Sequence, residues 1–159
     1  MSNWKKIIML DIDGCVNSEQ FYVKTEGRSG DFDPEAIALL NQLKDLDVEV
    51  VISSSWGEDG VTQLKNVGLE LPIVGVTEHF YRDWVCRGNE IEKWFCDNFG
   101  SYGTKYGSKR YQKDYEYVIF DDDSDMLLGQ KDNFIQTSRE TGLTQADIDK
   151  AIKILKRES

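Results

Sequence analysis

An α/β fold on a mostly parallel sheet follows from three features of this 159-residue chain. Short β-branched apolar runs alternate with helical periodicities, the runs end in polar residues, and strands separated by helices pair in parallel through crossovers. The length predicts a single domain over residues 1–159, since domains hold roughly 100 to 200 residues.

Ile7-Ile8-Met9-Leu10 is a continuous apolar run that breaks at Asp-Ile-Asp-Gly, the pattern of a strand covered on both faces and running into a turn. Residues 17–31 read as a polar stretch rich in Gly, Ser and charge. Asp33-Pro34-Glu35 then supplies a capping side chain, a proline at the first helical position and an acid in the first turn. A helix is expected from there to about Leu46 on Ile37, Leu40 and Leu43. Val48-Glu49-Val50-Val51-Ile52 is the second strand and ends in Ser53-Ser54-Ser55. Val61, Leu64 and Val67 mark a short helix stopped by Gly68, and residues 71–76 a weaker third strand. A second amphipathic helix is expected over about 89–99, with Ile91, Trp94, Phe95 and Phe99 as its apolar face. Residues 117–120 form a fourth strand that runs into Asp121-Asp122-Asp123, and Phe134 with Ile135 a fifth. Thr144, with Asp147 three residues on, caps a last helix carrying Ile148, Ile152 and Leu155.

Parallel sheets bind ligands at the carboxyl ends of their strands, near the reversal of strand order. Here those ends carry Asp11-x-Asp13, Ser53 and the Asp121 cluster, polar groups aimed at one crevice.

Lys plus Arg number 19 against 29 Asp plus Glu, a net charge of −10, which excludes a generally basic nucleic-acid coat and a polybasic membrane binder. At 40% hydrophobic and 11% aromatic residues, the chain is no disordered acidic tail either. Its longest apolar start is shorter than the ~7–15 residues of a secretory signal core and the ~18 of a membrane span, so a cytoplasmic protein without a membrane partner is expected. Cys15, Cys86 and Cys96 form no CxxC pair and are expected as reduced thiols. The one basic, aromatic patch is residues 100–116, where Tyr102, Tyr106, Tyr111 and Tyr115 interleave with Lys105, Lys109, Arg110 and Lys113.

Asp11 and Asp13 can both reach a ligand only if the chain leaves regular pleating after the first strand, and Gly14 permits that bend. Carboxylates gathered this closely repel and need a cation; hard oxygen ligands of this kind suit Mg²⁺, which shares a substrate phosphate. The acids after Phe120 supply the remaining ligand. Asp121, Asp123 and Asp125 match positions 1, 3 and 5 of a calcium-binding EF-hand loop, but Met126 stands where the turn needs glycine, Asp132 where a bidentate Glu belongs, and a strand precedes them. A response-regulator receiver places its paired acids and its phosphorylated Asp in a different order.

LDIDG at 10–14, VVISSSW at 50–56, RGNEIEKW at 87–94 and VIFDDDSD at 118–125 resemble the four motifs of the haloacid-dehalogenase-like (HAD) phosphohydrolases. More narrowly, they resemble the small HAD domains related to Swiss army knife RNA-repair proteins, over about residues 7–155. The resemblance implies a Rossmann-like three-layer sandwich with a five-stranded sheet. It also implies a Mg²⁺-dependent phosphatase in which Asp11 is the nucleophile that forms an aspartyl-phosphate, and Asp13 protonates the leaving oxygen and later activates water. Mg²⁺ would be held by Asp11, the Asp13 backbone carbonyl and Asp122, with Asp121 equally open as the direct ligand. Ser53, or the neighbouring Ser54, would bind phosphoryl oxygens beside Gly14. Arg87 would add its guanidinium at the start of a helix whose N-terminal dipole also favours phosphate.

His79 has no partner motif and reads as structural, and Trp56 and Trp94 as packing aromatics. HAD enzymes choose substrates largely with cap insertions; the gap at 15–32 is too short for a helical cap domain, so the fold is expected capless or nearly so. An open site accepts a phosphorylated small molecule or a nucleic-acid end, and the Tyr/Lys segment could stack bases there. The other class left open is a metal-binding regulatory or interaction module with little turnover. Oligomeric state is not readable from the sequence.

Overall fold

The computed structural model describes residues 4–27, 31–80, 84–99 and 115–157. Its centre is β1 (Lys5–Leu10), whose apolar run is buried on both sides because it lies in the middle of the sheet. β2 (Val48–Ile52) and β3 (Ile73–Val76) add on one flank, β4 (Tyr115–Asp121) and β5 (Phe134–Gln136) on the other, giving the order β3-β2-β1-β4-β5. Every pairing is parallel, with Leu10 opposite both Ile52 and Phe120. The chain builds outward from β1 to β3 and then returns to β4 beside β1. That return is the reversal of strand order, and it sets the ends of β1 and β4 next to each other.

Strand alternation divides the core. Ile8, Leu10, Val50, Ile52, Val118 and Phe120 face one layer, where they pack with Ile37 and Leu40 of α2 (Pro34–Asn41), Leu64 of α3 (Gly57–Asn66), and Ile148 and Leu155 of α5 (Gln145–Leu155). Ile7, Met9, Val51, Tyr117 and Ile119 face the other, against Ile91 and Phe95 of α4 (Arg87–Phe99). The result is the three-layer α/β/α arrangement expected, with both faces of the sheet apolar.

Several boundaries differ from the sequence reading. α1 (Glu19–Lys24) lies in the stretch read as polar loop. It buries no residue and so carries no periodic apolar signal; the Ser18 cap, which accepts from Phe21 N–H, and backbone bonds from Glu19 and Gln20 to the carbonyls of Arg139 and Glu140 hold it. α2 starts at the Asp33 cap as expected but ends at Asn41 rather than near 46. Gln42 and Leu43 already bond three residues back, a 3₁₀ turn follows at Lys44–Leu46, and Asp47 closes it at φ 57°. α3 begins at Gly57, earlier than its apolar residues suggest, and β3 begins at Ile73 rather than 71.

β4 opens at Tyr115, so the end of the Tyr/Lys patch is sheet. Tyr115, read with the base-stacking aromatics, instead stacks on Phe95 with centroids 4.4 Å apart and planes 7° from parallel. Residues 100–114 of that patch lie outside the described residues. Trp94 packs as expected, edge-on to Phe95 at 5.4 Å.

α4 is seated against the loop after β4 through Gly88. A Cβ there would stand 2.5 Å from the Leu127 nitrogen and 2.7 Å from Gln130 Oε1. Gln130 ties the two segments together, donating to the Gly88 carbonyl at 2.9 Å and accepting from Leu127 N–H at 2.9 Å. Gly88→Ala must displace backbone and is expected to cost about 1–3 kcal/mol. At roughly 2–4 °C per kcal/mol for a domain of this size, thermal denaturation should show a clear drop in Tm; an unchanged Tm would refute the close seating.

Candidate active site

Asp11 continues the line of β1: its N–H donates to the Phe120 carbonyl at 2.9 Å, and its Oδ1 accepts from the next backbone N–H, that of Ile12, at 2.8 Å. The chain then turns, with Cys15 and Val16 N–H both bonded to the Ile12 carbonyl, and leaves pleating as the Asp-x-Asp-Gly pattern requires. Gly14 sits at φ 80°, where a Cβ would lie 2.6 Å from Asp122 Cγ. Its lack of a side chain therefore serves both the bend and the close approach of the second acidic cluster. Asp13, within that turn, is exposed.

Because β4 lies beside β1, Asp121 arrives next to Asp11, and Asp122 follows into the loop. Oxygen atoms of Asp11, Asp121 and Asp122 all lie within 4.8 Å of one another. Asp11 is 7% exposed and Asp121 only 1%. Asp121 Oδ1 accepts from Asp123 N–H at 2.9 Å, while its buried Oδ2 has no hydrogen-bond partner. Two cations face the three acids. Arg87 Nε stands 3.8 Å from Asp121 Oδ2, and Arg139 Nε donates to Asp122 Oδ2 at 2.9 Å.

Arg87 opens α4, as the sequence reading placed it, but the helix N-terminus is not free for an anion. Asp125 takes it: its carboxylate accepts from Arg87 N–H at 2.9 Å and its carbonyl from Gly88 N–H at 3.1 Å. The Arg87 side chain itself is among the residues that line a cavity over the acids. Glu90, buried one turn along, orients the guanidinium at 3.5 Å. The same carboxylate accepts from Phe80 N–H at 3.0 Å and meets His79 Nδ1 at 3.1 Å, and His79 Nε2 bonds the Ser54 carbonyl. His79, read as lacking an orienting partner, thus links the end of β2 to α4 behind Arg87.

A cavity of about 430 Å³ opens over these groups, lined by Asp11, Asp13, Ser55, Arg87, Asp122 and Arg139 among others. Ser53 and Ser54 are each 1% exposed, so the loop after β2 meets this cavity through Ser55. Ser53 N–H donates to the Leu10 carbonyl at 2.8 Å and its Oγ is buried without a partner. Ser54 Oγ accepts from Trp56 N–H at 3.3 Å.

Residues 7–148 match the family described as HAD domain in Swiss Army Knife RNA repair proteins. The chain belongs to this family of HAD domains. Neither a curated protein nor a solved structure matches it. The fold and the four motifs of this HAD domain agree with a HAD-type phosphatase family.

Of the residues singled out in the sequence, the HAD domain brings Asp11, Asp121, Asp122, Gly14 and Arg87 together, with Asp13 on the same cavity but outside the carboxylate cluster. Both Asp121 and Asp122 place a carboxylate oxygen within 4.8 Å of one of Asp11. Asn17, Ser55, Glu90 and Arg139 went unassigned in the sequence; Ser55 and Glu90 lay inside quoted motifs, and nothing in the local pattern marks Arg139, which comes from the loop after β5.

Burial, and next the Asp121 charge beside it, push the Asp11 carboxyl well above its ordinary 3.8, against the pull of Arg87. Burial raises Asp121 as well, opposed by its Asp123 N–H bond and by Arg87. The folded HAD domain therefore keeps protons that the unfolded chain releases above its ordinary carboxylate value of 3.8. Metal-free stability is expected to fall as pH rises from there toward neutrality. Asp11→Asn removes a carboxyl that must take up a proton on folding near neutral pH, and keeps an oxygen for Ile12 N–H. In EDTA near neutral pH it is expected to raise Tm by roughly 2–4 °C, the effect of about 1 kcal/mol in a domain of this size; a lower Tm would overturn this account.

Proposed function

We propose that this HAD domain is a Mg²⁺-dependent phosphatase that hydrolyses a phosphomonoester through an aspartyl-phosphate. The observation that carries the reading is the division of labour among the acids. Asp11, Asp121 and Asp122 converge with one buried oxygen, Asp121 Oδ2, that makes no hydrogen bond, while Asp13 lines the cavity outside their cluster. Three hard oxygen donors held this close, opposed by two guanidinium groups, suit a divalent cation of the Mg²⁺ type. Asp11 and Asp122, with Asp121 and the backbone carbonyl of Asp13, would hold it. Bound there, Mg²⁺ supplies a Lewis-acid centre that offsets charge between the carboxylates and the phosphoryl oxygens.

The remaining chemistry belongs to the chain. An oxygen of Asp11 attacks phosphorus, a P–O bond to Asp11 forms, and the P–O bond to the leaving group breaks. Asp13 gives its proton to the departing oxygen. Water then attacks the phosphorus, Asp13 takes its proton back, and the bond to Asp11 breaks to release inorganic phosphate and restore both acids. Arg87, held by Glu90, meets the phosphoryl oxygens, whereas Ser53 Oγ, expected beside them, is buried and does not line the cavity. Among the described residues, only the six-residue α1 stands between β1 and α2 in the first cap position. A site with no large lid among the described residues admits phosphates on bulky molecules, so a nucleotide or a nucleic-acid 3′-phosphate is within its substrate class.

Purified protein is expected to release phosphate from p-nitrophenyl phosphate and a 3′-phosphorylated oligonucleotide with Mg²⁺ and not in EDTA. Asp11→Asn should lose roughly 10³-fold or more in kcat/KM. Mg²⁺-independent release, or wild-type turnover by Asp11→Asn, would overturn the assignment.

A further inference from the structure

We propose that Trp56 and Asn17 are positioning residues for Asp13, holding its side chain so that Oδ2 alone is open to exchange a proton with the leaving group. The inference rests on the phosphatase reading above, and specifically on Asp13 as the acid.

The case is one of lone pairs. Asn17 Nδ2 donates to Asp13 Oδ1 at 2.8 Å, and Trp56 Nε1 lies 3.2 Å from both Oδ1 and Oδ2. A carboxylate oxygen accepts along two lone-pair directions. Oδ1 therefore has both filled, and Oδ2 has one shared donor and one vacant direction. The two oxygens of an otherwise symmetric group are made different.

Each donor is itself held. The Asn17 amide has one possible orientation, because its Oδ1 accepts from Gly14 N–H at 3.0 Å and so turns Nδ2 to Asp13. Asn17 is 2% exposed. Trp56 stands at the start of α3 with its N–H on Ser54 Oγ and its ring edge-on to Phe32, centroids 5.1 Å apart at 70°. Gly60, one turn along, leaves room for it, since a Cβ there would come within 3.1 Å of Trp56 Cβ. Indole N–H is a donor with no acceptor site and no charge. It can hold Asp13 in place without competing for the proton that Asp13 transfers. The tryptophan that closes the Ser-Ser-Ser-Trp run is thus more than packing: it connects the end of β2 to the acid that follows β1.

Proton donation matters most when the leaving oxygen is strongly basic, and little when it departs readily as an anion. Trp56→Phe and Asn17→Ala are compared with wild type in kcat/KM on an alkyl phosphate and on p-nitrophenyl phosphate, with Tm recorded for each. The expected result is a loss about tenfold larger on the alkyl than on the aryl substrate, a fraction of the ~10²–10⁴ that a general acid supplies. In an Asp13→Asn background the same changes should cost nothing further on the alkyl substrate. Equal losses on both substrates in a folded variant, or losses that persist in Asp13→Asn, would overturn the positioning role. If Trp56→Phe does not fold, Asn17→Ala alone carries the comparison. Wild-type protein inactive on both substrates would instead defeat the phosphatase reading itself.

Discussion

Two carboxylates forced together by strand order, Asp11 and Asp121, set the terms for the rest of the molecule. Neighbouring parallel strands lie about 4.8 Å apart, so an acid just past the end of β1 and one that closes β4 cannot avoid each other once those strands pair. Both are buried, and both are pushed toward the protonated form. Such a pair is a standing cost in the metal-free fold, and the sheet must be stable enough to impose it. The fully buried runs of β1 and β4, packed on both faces, supply that rigidity.

The surrounding groups answer this constraint in different ways. Arg87 and Arg139 offset charge from opposite sides, one backed by buried Glu90 and the other exposed on a loop. The contrast has physical consequences: a guanidinium braced by a buried carboxylate keeps a fixed place, whereas an exposed one can yield Asp122 at little cost. Glycine solves the steric side. Gly14 lets Asp122 approach β1, and Gly88 lets the loop carrying Asp125 dock on α4. Asp13, exposed in the turn after β1, stands outside the cluster altogether.

Much of the sheet was legible from local pattern. β1 and β4 are continuous apolar runs because both faces are covered, and the Asp33 and Thr144 caps announce their helices by side chains that bond nearby N–H groups. The reading failed where structure is held by remote contacts. α1 buries nothing and hangs from the carbonyls of Arg139 and Glu140. Tyr115, one of four tyrosines in a basic segment, looked like a ligand platform until β4 claimed it and Phe95 covered it. The helix N-terminus at Arg87 looked open to anions because its cap, Asp125, comes 38 residues later.

The sequence by itself determined the family, the strand runs and the acids that end them, because these depend on residues close in the chain: apolar runs, caps, and an Asp-x-Asp-Gly turn. Only the tertiary structure decided what those acids do to one another. That Asp121 and Asp122 both reach Asp11, that Arg139 pairs with Asp122 from 17 residues away, and that Trp56 meets Asp13 across 43 residues all follow from which strands are neighbours. Strand order is a property of the whole packed sheet, and no local pattern of side chains encodes it.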